Sequence, residues 1–148
     1  QKDKFFLEEI HRVLKPGGKL LLTTPNKLMS LSRNPWHIRE YTPAEMKNIL
    51  DKYFNENIVN GVYGNDLVMD YYQKNKIAVR KITRFDIFNL QYILPRWLLQ
   101  IPYDILNRLN RKKLKSQNEK VVQSVTVEDY FIKESTENCL DYFCVATK

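Results

Sequence analysis

The sequence has few of the residues on which metal centres, disulfide frameworks and nucleotide-binding loops depend. Its 148 residues include two cysteines, two histidines and four glycines. No C-x-x-C or H-x-x-x-H spacing occurs, so the sequence predicts no metal site. The glycines form neither a G-x-G-x-x-G turn nor a phosphate-binding loop, which excludes these two nucleotide-binding motifs. They are Gly17, Gly18, Gly61 and Gly64.

Long apolar runs and secretion signals are also missing. The most apolar region, residues 90–109, is interrupted by two prolines and by charged side chains, whereas a membrane-spanning helix needs about 20 mostly apolar residues. No basic segment followed by an apolar run and a cleavage site opens the sequence. Cys139 and Cys144 are five residues apart in a predicted strand, which places their side chains on opposite faces and leaves two free thiols. We therefore expect a cytoplasmic protein.

What the sequence does contain is typical of a folded domain with one strongly basic segment. Its residues are 43% hydrophobic, 12% aromatic and 28% charged, and a chain of this length can bury one core. The net charge is +7, but residues 74–115 contain 11 lysine and arginine side chains and only two aspartates. The basic character therefore belongs to that segment, and the remainder of the chain is slightly acidic.

The beginning of the chain predicts a helix, a turn and a strand. Residues 3–14 have apolar side chains at helical spacing, which predicts one buried helix face. That face consists of Phe6, Ile10, Val13 and Leu14. The run Lys15-Pro16-Gly17-Gly18 ends the helix, and residues 19–24 predict a strand. Its unbroken Leu20-Leu21-Leu22 is typical of a strand covered on both faces in a parallel sheet.

The next segment carries a helix start followed by a second strand. Thr42 is the predicted N-cap, Pro43 takes the first helical position, and Glu45 completes a capping box. The predicted buried stripe is Met46, Ile49, Leu50 and Tyr53. Residues 58–63 predict a strand bounded by glycines. The alternation of helix and strand predicts an α/β fold.

The pattern changes to helices rich in aromatic and basic residues from residue 65 to about residue 115. We expect breaks in these helices at Pro95 and Pro102. Residues 130–132 predict a strand or a turn, and residues 140–147 predict a closing strand. We therefore interpret residues 65–120, approximately, as a helical insertion before the last strand.

Three segments resemble one enzyme family, in the same order along the chain. Phe6 to Asn26, FLEEIHRVLKPGGKLLLTTPN, resembles the helix, turn and fifth strand of class I S-adenosylmethionine-dependent methyltransferases. His37 to Leu50, HIREYTPAEMKNIL, resembles the segment that follows in the small-molecule branch of that family, and residues 140–148 resemble its last strand. The chain is thus similar to the carboxyl-terminal half of a methyltransferase domain.

The resemblance implies part of a Rossmann-like sheet of seven strands, of which residues 1–148 supply three, with the last two strands as an antiparallel pair. In the family, the segments that hold S-adenosylmethionine precede the fifth strand, so they would precede Gln1. We therefore expect S-adenosylmethionine in the complete protein, no cofactor ligand in this chain and no activity from it alone. A start at Gln1 rather than at methionine fits this expectation. An unpaired sheet edge at residues 19–24 would favour a homo-oligomer.

The resemblance also implies an acceptor pocket at the carboxyl end of the first predicted strand, where doubly wound sheets bind ligands. Thr24, Pro25 and Asn26 occupy that position, and Arg39 and Tyr41 follow in the next loop. The expected acceptor is a small or lipid-like molecule. The alternative is that residues 24–26 only form a turn that ends the strand.

His37 is the candidate catalytic residue. An imidazole has an ordinary pKa of about 6.5 and can take a proton near neutrality. His37 lies in the loop that the resemblance places over the acceptor. The alternative is a local polar network of His37, Arg39 and Glu40. His11 is expected to be a cation at a helix end.

The basic insertion allows three interpretations. Its apolar side chains form a stripe at helical spacing, which is Leu98, Ile101, Ile105 and Leu109. The stripe can pack inside the protein or in a lid over the acceptor, as insertions do in this family. With Trp97, Tyr103 and the basic side chains, it can instead contact an anionic membrane peripherally through residues 95–115. Nucleic-acid binding is the least favoured interpretation.

Overall fold

The computed structural model describes residues 2–86 and 88–148. Its helices and strands follow in the order α1 (Lys2–Val13), β1 (Lys19–Pro25), α2 (Pro43–Leu50), β2 (Glu56–Gly64), α3 (Asp66–Thr83), α4 (Leu90–Ile93), α5 (Arg96–Gln117), α6 (Glu119–Ser124), β3 (Tyr130–Glu134) and β4 (Asp141–Thr147). A short 3-10 helix, Val127–Asp129, precedes β3. The predicted order of helices and strands is confirmed, and the fold is of the mixed α/β type.

The last strand of the chain lies inside the sheet rather than at its edge. The strand order is β1-β4-β2-β3, and β4 is antiparallel to both β1 and β2. Cys144 of β4 lies opposite Leu22 on one side and Val59 on the other. β2 and β4 thus form an antiparallel pair, and the described sheet has four strands where the resemblance implies three from this chain. The prediction that β1 belongs to a parallel sheet is wrong for the described residues, because β4 is its partner.

The core lies on one face of the sheet. Alternate residues of β4 point into it, and Tyr142, Cys144 and Ala146 are almost completely buried. Residues of α1 and α2 belong to the same buried cluster, so both helices cover the same face. On the other face Leu21 and Ile58 are 64% and 60% exposed. The prediction that β1 is covered on both faces is wrong for this chain, because its described helices leave that second face open.

Helix α1 buries a different stripe from the predicted one. Leu7 is 4% exposed, and Ile10 and Leu14 pack against the core. Phe6 and Val13 are 56% and 61% exposed, so their predicted burial is wrong. Positions 7, 10 and 14 have the spacing of one helix face. A small rotation of the helix about its axis is enough to bury Leu7 instead of Phe6. Apolar side chains on both sides of α1 made the two faces hard to distinguish.

The start of α2 is as predicted. The Thr42 hydroxyl accepts a hydrogen bond from the Glu45 N–H at 3.3 Å, and the Glu45 carboxylate accepts one from the Thr42 N–H at 2.8 Å. The latter bond holds the pKa of Glu45 below its ordinary value. The predicted stripe is confirmed for Met46, Ile49 and Leu50, which are buried. Burial of each such side chain stabilises the folded state by about 1.5–3 kcal/mol.

The turn between α1 and β1 is tied to the end of the chain. Gly17 has a φ of 75°, a conformation that glycine adopts without steric cost. The Gly17 N–H donates to the Lys148 carbonyl at 2.8 Å, and the Lys148 N–H donates to the Gly18 carbonyl at 3.0 Å. These bonds extend the pairing of β1 with β4 and stop α1 at the predicted place.

The chain divides into two compact units. The first consists of residues 1–29, 40–63 and 131–148, and the second of residues 30–39 and 64–130. In the second unit α3 and α5 contact each other, and the Asn110 amide donates to the Asn75 side chain at 2.9 Å. Pro95 precedes α5 as predicted, but the predicted break at Pro102 is wrong. A proline in a helix removes one backbone hydrogen bond, and the other bonds of this 22-residue helix remain.

Both cysteines are free and buried in the same core cluster. The prediction of two free thiols is confirmed, but the geometric argument for it is wrong, because Cys139 lies in the turn before β4. Burial raises the pKa of both thiols, that of Cys144 to about 12. Burial likewise raises the pKa of the Tyr142 hydroxyl.

These buried groups predict a loss of stability in alkaline solution. A thiol in the unfolded chain ionises near pH 9, whereas native Cys144 keeps its proton until about pH 12. The unfolded state therefore binds fewer protons above pH 9, and the free energy of unfolding falls by at most about 1.4 kcal/mol per pH unit for each such group. Urea unfolding at about pH 7 and about pH 10 measures the difference. Cys144→Ala should reduce the difference in the free energy of unfolding between the two pH values. Equal stability of the unmodified chain at both pH values would contradict the raised pKa of the buried thiols.

Candidate functional site

Asn26 closes the carboxyl end of β1. Its side chain is 1% exposed, and its amide nitrogen donates to the carbonyl oxygens of Glu137 and Cys139 at 2.9 and 2.8 Å. Its amide oxygen accepts from the Leu28 N–H at 3.0 Å and from the Tyr142 hydroxyl at 2.7 Å. Both ends of the amide are therefore used to join the end of β1 to the segment that leads into β4.

Three other predicted pocket residues lie in the same unit as Asn26. Thr24 and Pro25 are half-buried and pair with Tyr142 and Asp141 of β4. Tyr41 forms an isolated parallel bridge with Asn26, and its hydroxyl donates to the Asp3 carboxylate. The structure thus brings Thr24, Pro25, Asn26 and Tyr41 to one end of β1. That these residues bind an acceptor stays a prediction.

Asp141 is a chemically interesting neighbour that the sequence analysis missed. It is the first residue of β4 and lies between Pro25 of β1 and Val62 of β2 in the strand register. Burial raises the pKa of its carboxyl group. A carboxylate with a raised pKa is a better proton acceptor, and such groups are enriched at functional sites. An acidic residue at the start of an otherwise apolar strand was the available signal.

His37 and Arg39 belong to the second unit, in the segment of residues 30–39. His37 is half-buried, its backbone N–H donates to the Asn34 carbonyl at 3.2 Å, and Arg39 is exposed. The catalytic and acceptor-binding roles of these two residues stay predictions.

Side-chain hydrogen bonds of Arg33, Trp36 and Arg96 attach this segment to the helical part of the second unit. The Arg33 guanidinium donates to the Gln91 carbonyl at 2.7 Å, and the Trp36 indole donates to the Asp104 carboxylate at 3.0 Å. The Arg96 guanidinium donates to the Ile38 carbonyl. The loop predicted to cover the acceptor and the basic insertion therefore form one structural unit. These contacts leave no signal in the sequence, because the partners are more than 50 residues apart and share no motif.

His11 lies in the last turn of α1, as predicted, and packs against the core. Its ring meets the buried Phe54 ring edge-on, with 5.5 Å between the centroids. This contact gives His11 a packing role in the first unit.

The glycines of the chain do not fit S-adenosylmethionine. Such cofactors need a glycine turn at the carboxyl end of a strand, where backbone can approach the ligand. Gly17 and Gly18 precede β1 and therefore lie at its opposite end. The space of a Cβ at Gly61 is filled by Cys139, and that at Gly64 by Val68. The space beside these two glycines is therefore occupied by side chains of the protein and is not open to a ligand.

Neither a metal cluster nor a membrane-spanning helix is found in the described part of the chain. Among residues 2–86 and 88–148, no three histidine, cysteine, aspartate or glutamate side chains are grouped so that they could hold a metal ion. No helix within the same residues has both the length and the apolarity needed to cross a membrane.

The predicted apolar stripe of α5 is exposed. Leu98, Ile101, Ile105 and Leu109 are 45–72% exposed, and Trp97 is 70% exposed. Basic side chains follow on the same helix, and most of them are also exposed. The stripe is therefore not covered by other described residues of the second unit.

Part of the chain is similar to a curated protein, a probable S-adenosylmethionine-dependent methyltransferase of Mycolicibacterium smegmatis. The two are 43% identical over 51 residues, which cover 31% of this chain and 20% of the relative. The matched segment thus spans about a fifth of the length of that relative. No protein-family model matches the chain, and no solved structure matches it significantly.

Replacing Asn26 tests how much the end of β1 depends on its amide. We expect Asn26→Ala to lower the free energy of unfolding by about 2–4 kcal/mol, because each buried polar group left without a partner costs roughly 1–3 kcal/mol. Tyr142→Phe removes one of these hydrogen bonds and should cost about 1 kcal/mol. Urea denaturation monitored by circular dichroism measures both values.

The matched control is Asn48→Ala, because Asn48 is exposed on α2. Its effect should stay within about 0.5 kcal/mol. An Asn26→Ala protein as stable as Asn48→Ala would show that the buried amide does not hold β1 in place.

Proposed function

We propose that this chain is the acceptor-side, carboxyl-terminal part of an S-adenosylmethionine-dependent methyltransferase that acts on a small or lipid-like molecule in the cytoplasm. The observation that carries the proposal is the partial similarity to a probable methyltransferase of this kind, 43% identical over 51 residues. The helix, turn and strand of α1 and β1 and the antiparallel pair of β2 and β4 support it. In the complete protein, the remaining strands of a seven-stranded Rossmann-like sheet would carry the cofactor.

The proposed acceptor pocket lies at the carboxyl end of β1. Thr24, Pro25 and Tyr41 line it, and all three belong to the first unit. Asn26 acts as a positioning residue, because its amide is buried and fully engaged within the protein. The pocket therefore depends on the packing of β4 for its shape.

Transfer of a methyl group requires the acceptor atom to be aligned and shielded from water. An acceptor hydroxyl or amine must also lose a proton, and an imidazole can take that proton near neutrality. We assign this role to His37. Because the glycines of this chain form no turn for the methyl donor, the part that we propose for the chain is to hold and deprotonate the acceptor.

The exposed edge of β1 supports a homo-oligomeric protein. In the described sheet β1 has β4 as its partner on one side only. Unpaired backbone groups at a sheet edge can pair with another strand. In the proposed enzyme that strand belongs to the cofactor-binding half, and in the isolated chain a second copy can take its place.

Isothermal titration with S-adenosylhomocysteine tests the proposal. The 148-residue chain should not bind this product of the methyl donor, whereas a chain extended upstream of Gln1 in the same gene should bind it. The reason is that Gly17 and Gly18 precede β1, and that Cys139 and Val68 fill the space beside Gly61 and Gly64, so no glycine turn for a cofactor is present among them. Absence of binding by both chains would overturn the assignment to this enzyme class.

The role of His37 is tested in the extended chain by methyl transfer from radiolabelled S-adenosylmethionine to lipid and small-molecule extracts. We expect His37→Gln to lower kcat by about 10²–10⁴-fold without changing the affinity for S-adenosylhomocysteine. His11→Gln is the matched control, since His11 lies against Phe54 in the first unit. Equal activity of the His37→Gln protein would remove His37 from the mechanism.

A second candidate function is peripheral binding to an anionic membrane through residues 95–115. It is favoured by the exposure of Trp97, Ile101 and Ile105, at 70, 72 and 54%. A helix with exposed apolar and aromatic side chains and a basic face can lie in the interface of such a membrane. Basic side chains near the surface each add about 1 kcal/mol of attraction.

Co-sedimentation with vesicles tests this second function. The chain should sediment with vesicles that contain phosphatidylserine at low salt and less with vesicles of phosphatidylcholine alone. Ile105→Glu should weaken binding severalfold, because it places a carboxylate in the apolar stripe. Ile132→Glu is the control, as Ile132 is also 54% exposed but lies in β3. Equal sedimentation with both vesicle types, or none at low salt, would rule out the membrane function.

A further inference from the structure

The second unit contains a cavity of about 420 Å³ lined by α3, α4 and α5. This volume is within the range of roughly 300–1,000 Å³ that small-molecule pockets occupy. Most of its wall is apolar, and the contributing side chains include Val79, Ile82, Leu94, Leu99 and Leu106. The size and wall composition are those of a pocket for a small organic molecule.

The charged groups in the wall already have partners within the protein. The Asp86 carboxylate accepts from the backbone N–H groups of Leu90 and Gln91 at 2.6 and 3.1 Å, and so caps α4. The Arg33 guanidinium donates to the carbonyl oxygens of Gln91 and Leu94 at 2.7 and 3.4 Å. These two charges therefore organise the wall itself.

Two neutral polar groups in the wall are engaged in the same way. The Thr83 hydroxyl donates to the Val79 carbonyl at 3.1 Å. The Asn110 amide donates to the Asn75 side chain at 2.9 Å. The wall also includes the polar residues Ser32, Tyr103 and Asn107, but most of its surface is apolar. Apolar cavities bind apolar molecules.

We propose that this cavity is a binding site for an uncharged apolar group, an alkyl chain or an aryl ring, of a small organic molecule. The apolar wall supplies the free energy of binding through burial of ligand surface. A charged ligand is disfavoured, because most of the wall is apolar and the hydrogen bonds given above for Asp86 and Arg33 are made to backbone groups of the protein. The site depends on the second unit alone and exists whether or not the chain takes part in methyl transfer.

Fluorescence titration with diphenylhexatriene, a neutral apolar dye, tests the site. We expect saturable binding to the 148-residue chain and displacement of the dye by decanol but not by sucrose. Leu99→Trp should weaken binding at least tenfold, because the larger side chain takes up part of the space that the ligand needs. Ile101→Trp is the matched control: it lies two residues away on α5, is 72% exposed and is not part of the wall.

The outcomes separate the cavity from the exposed stripe on the same helix. Weaker binding by Leu99→Trp with unchanged binding by Ile101→Trp supports the proposal. An equal effect of both changes, or no effect of either, overturns it in favour of binding on the surface. If the Leu99→Trp protein does not fold, Leu106→Trp is a second variant that places a larger side chain in the wall of the cavity. Absence of saturable binding by the unmodified chain overturns the proposal in any case.

Discussion

The first unit depends on the insertion of the last strand between two strands that precede it by about 80 and 120 residues. Residues of β4 supply the centre of the core, with Tyr142, Cys144 and Ala146 almost fully buried. Neither β1 nor β2 can complete its hydrogen bonds until β4 is in place. Such non-local pairing must overcome a large loss of chain entropy, which the burial of β4 side chains offsets.

Asn26 makes the geometry of the candidate site depend on the position of β4. Its amide joins the end of β1 to the turn before β4, so the geometry of the proposed pocket is decided by contacts with residues more than 110 positions away. A polar side chain is retained in the core because each of its ends has a partner there. The same packing raises the pKa of Asp141, which lies opposite Pro25.

Short sequence patterns predicted the helices and strands well. They failed to predict which face of a helix is buried. The capping box at Thr42 and the turn at Gly18 could be predicted because each contains hydrogen bonds between residues that are three positions apart. Helix α1 has apolar side chains on more than one side, so periodicity alone did not select Leu7 over Phe6. Pro102 was expected to end a helix, but the remaining backbone bonds of α5 carry the helix past it.

The sequence by itself determined the order of helices and strands, the α/β class and the position of Thr24, Pro25 and Asn26 at the end of β1. These features follow from hydrogen bonds and periodicities within a few residues. Only the tertiary structure decided that β4 lies between β1 and β2, that Asn26 is buried, and that residues 30–39 join the helical insertion. These features depend on which surfaces, far apart in the sequence, pack against each other. Short sequence patterns do not indicate which of these surfaces will meet.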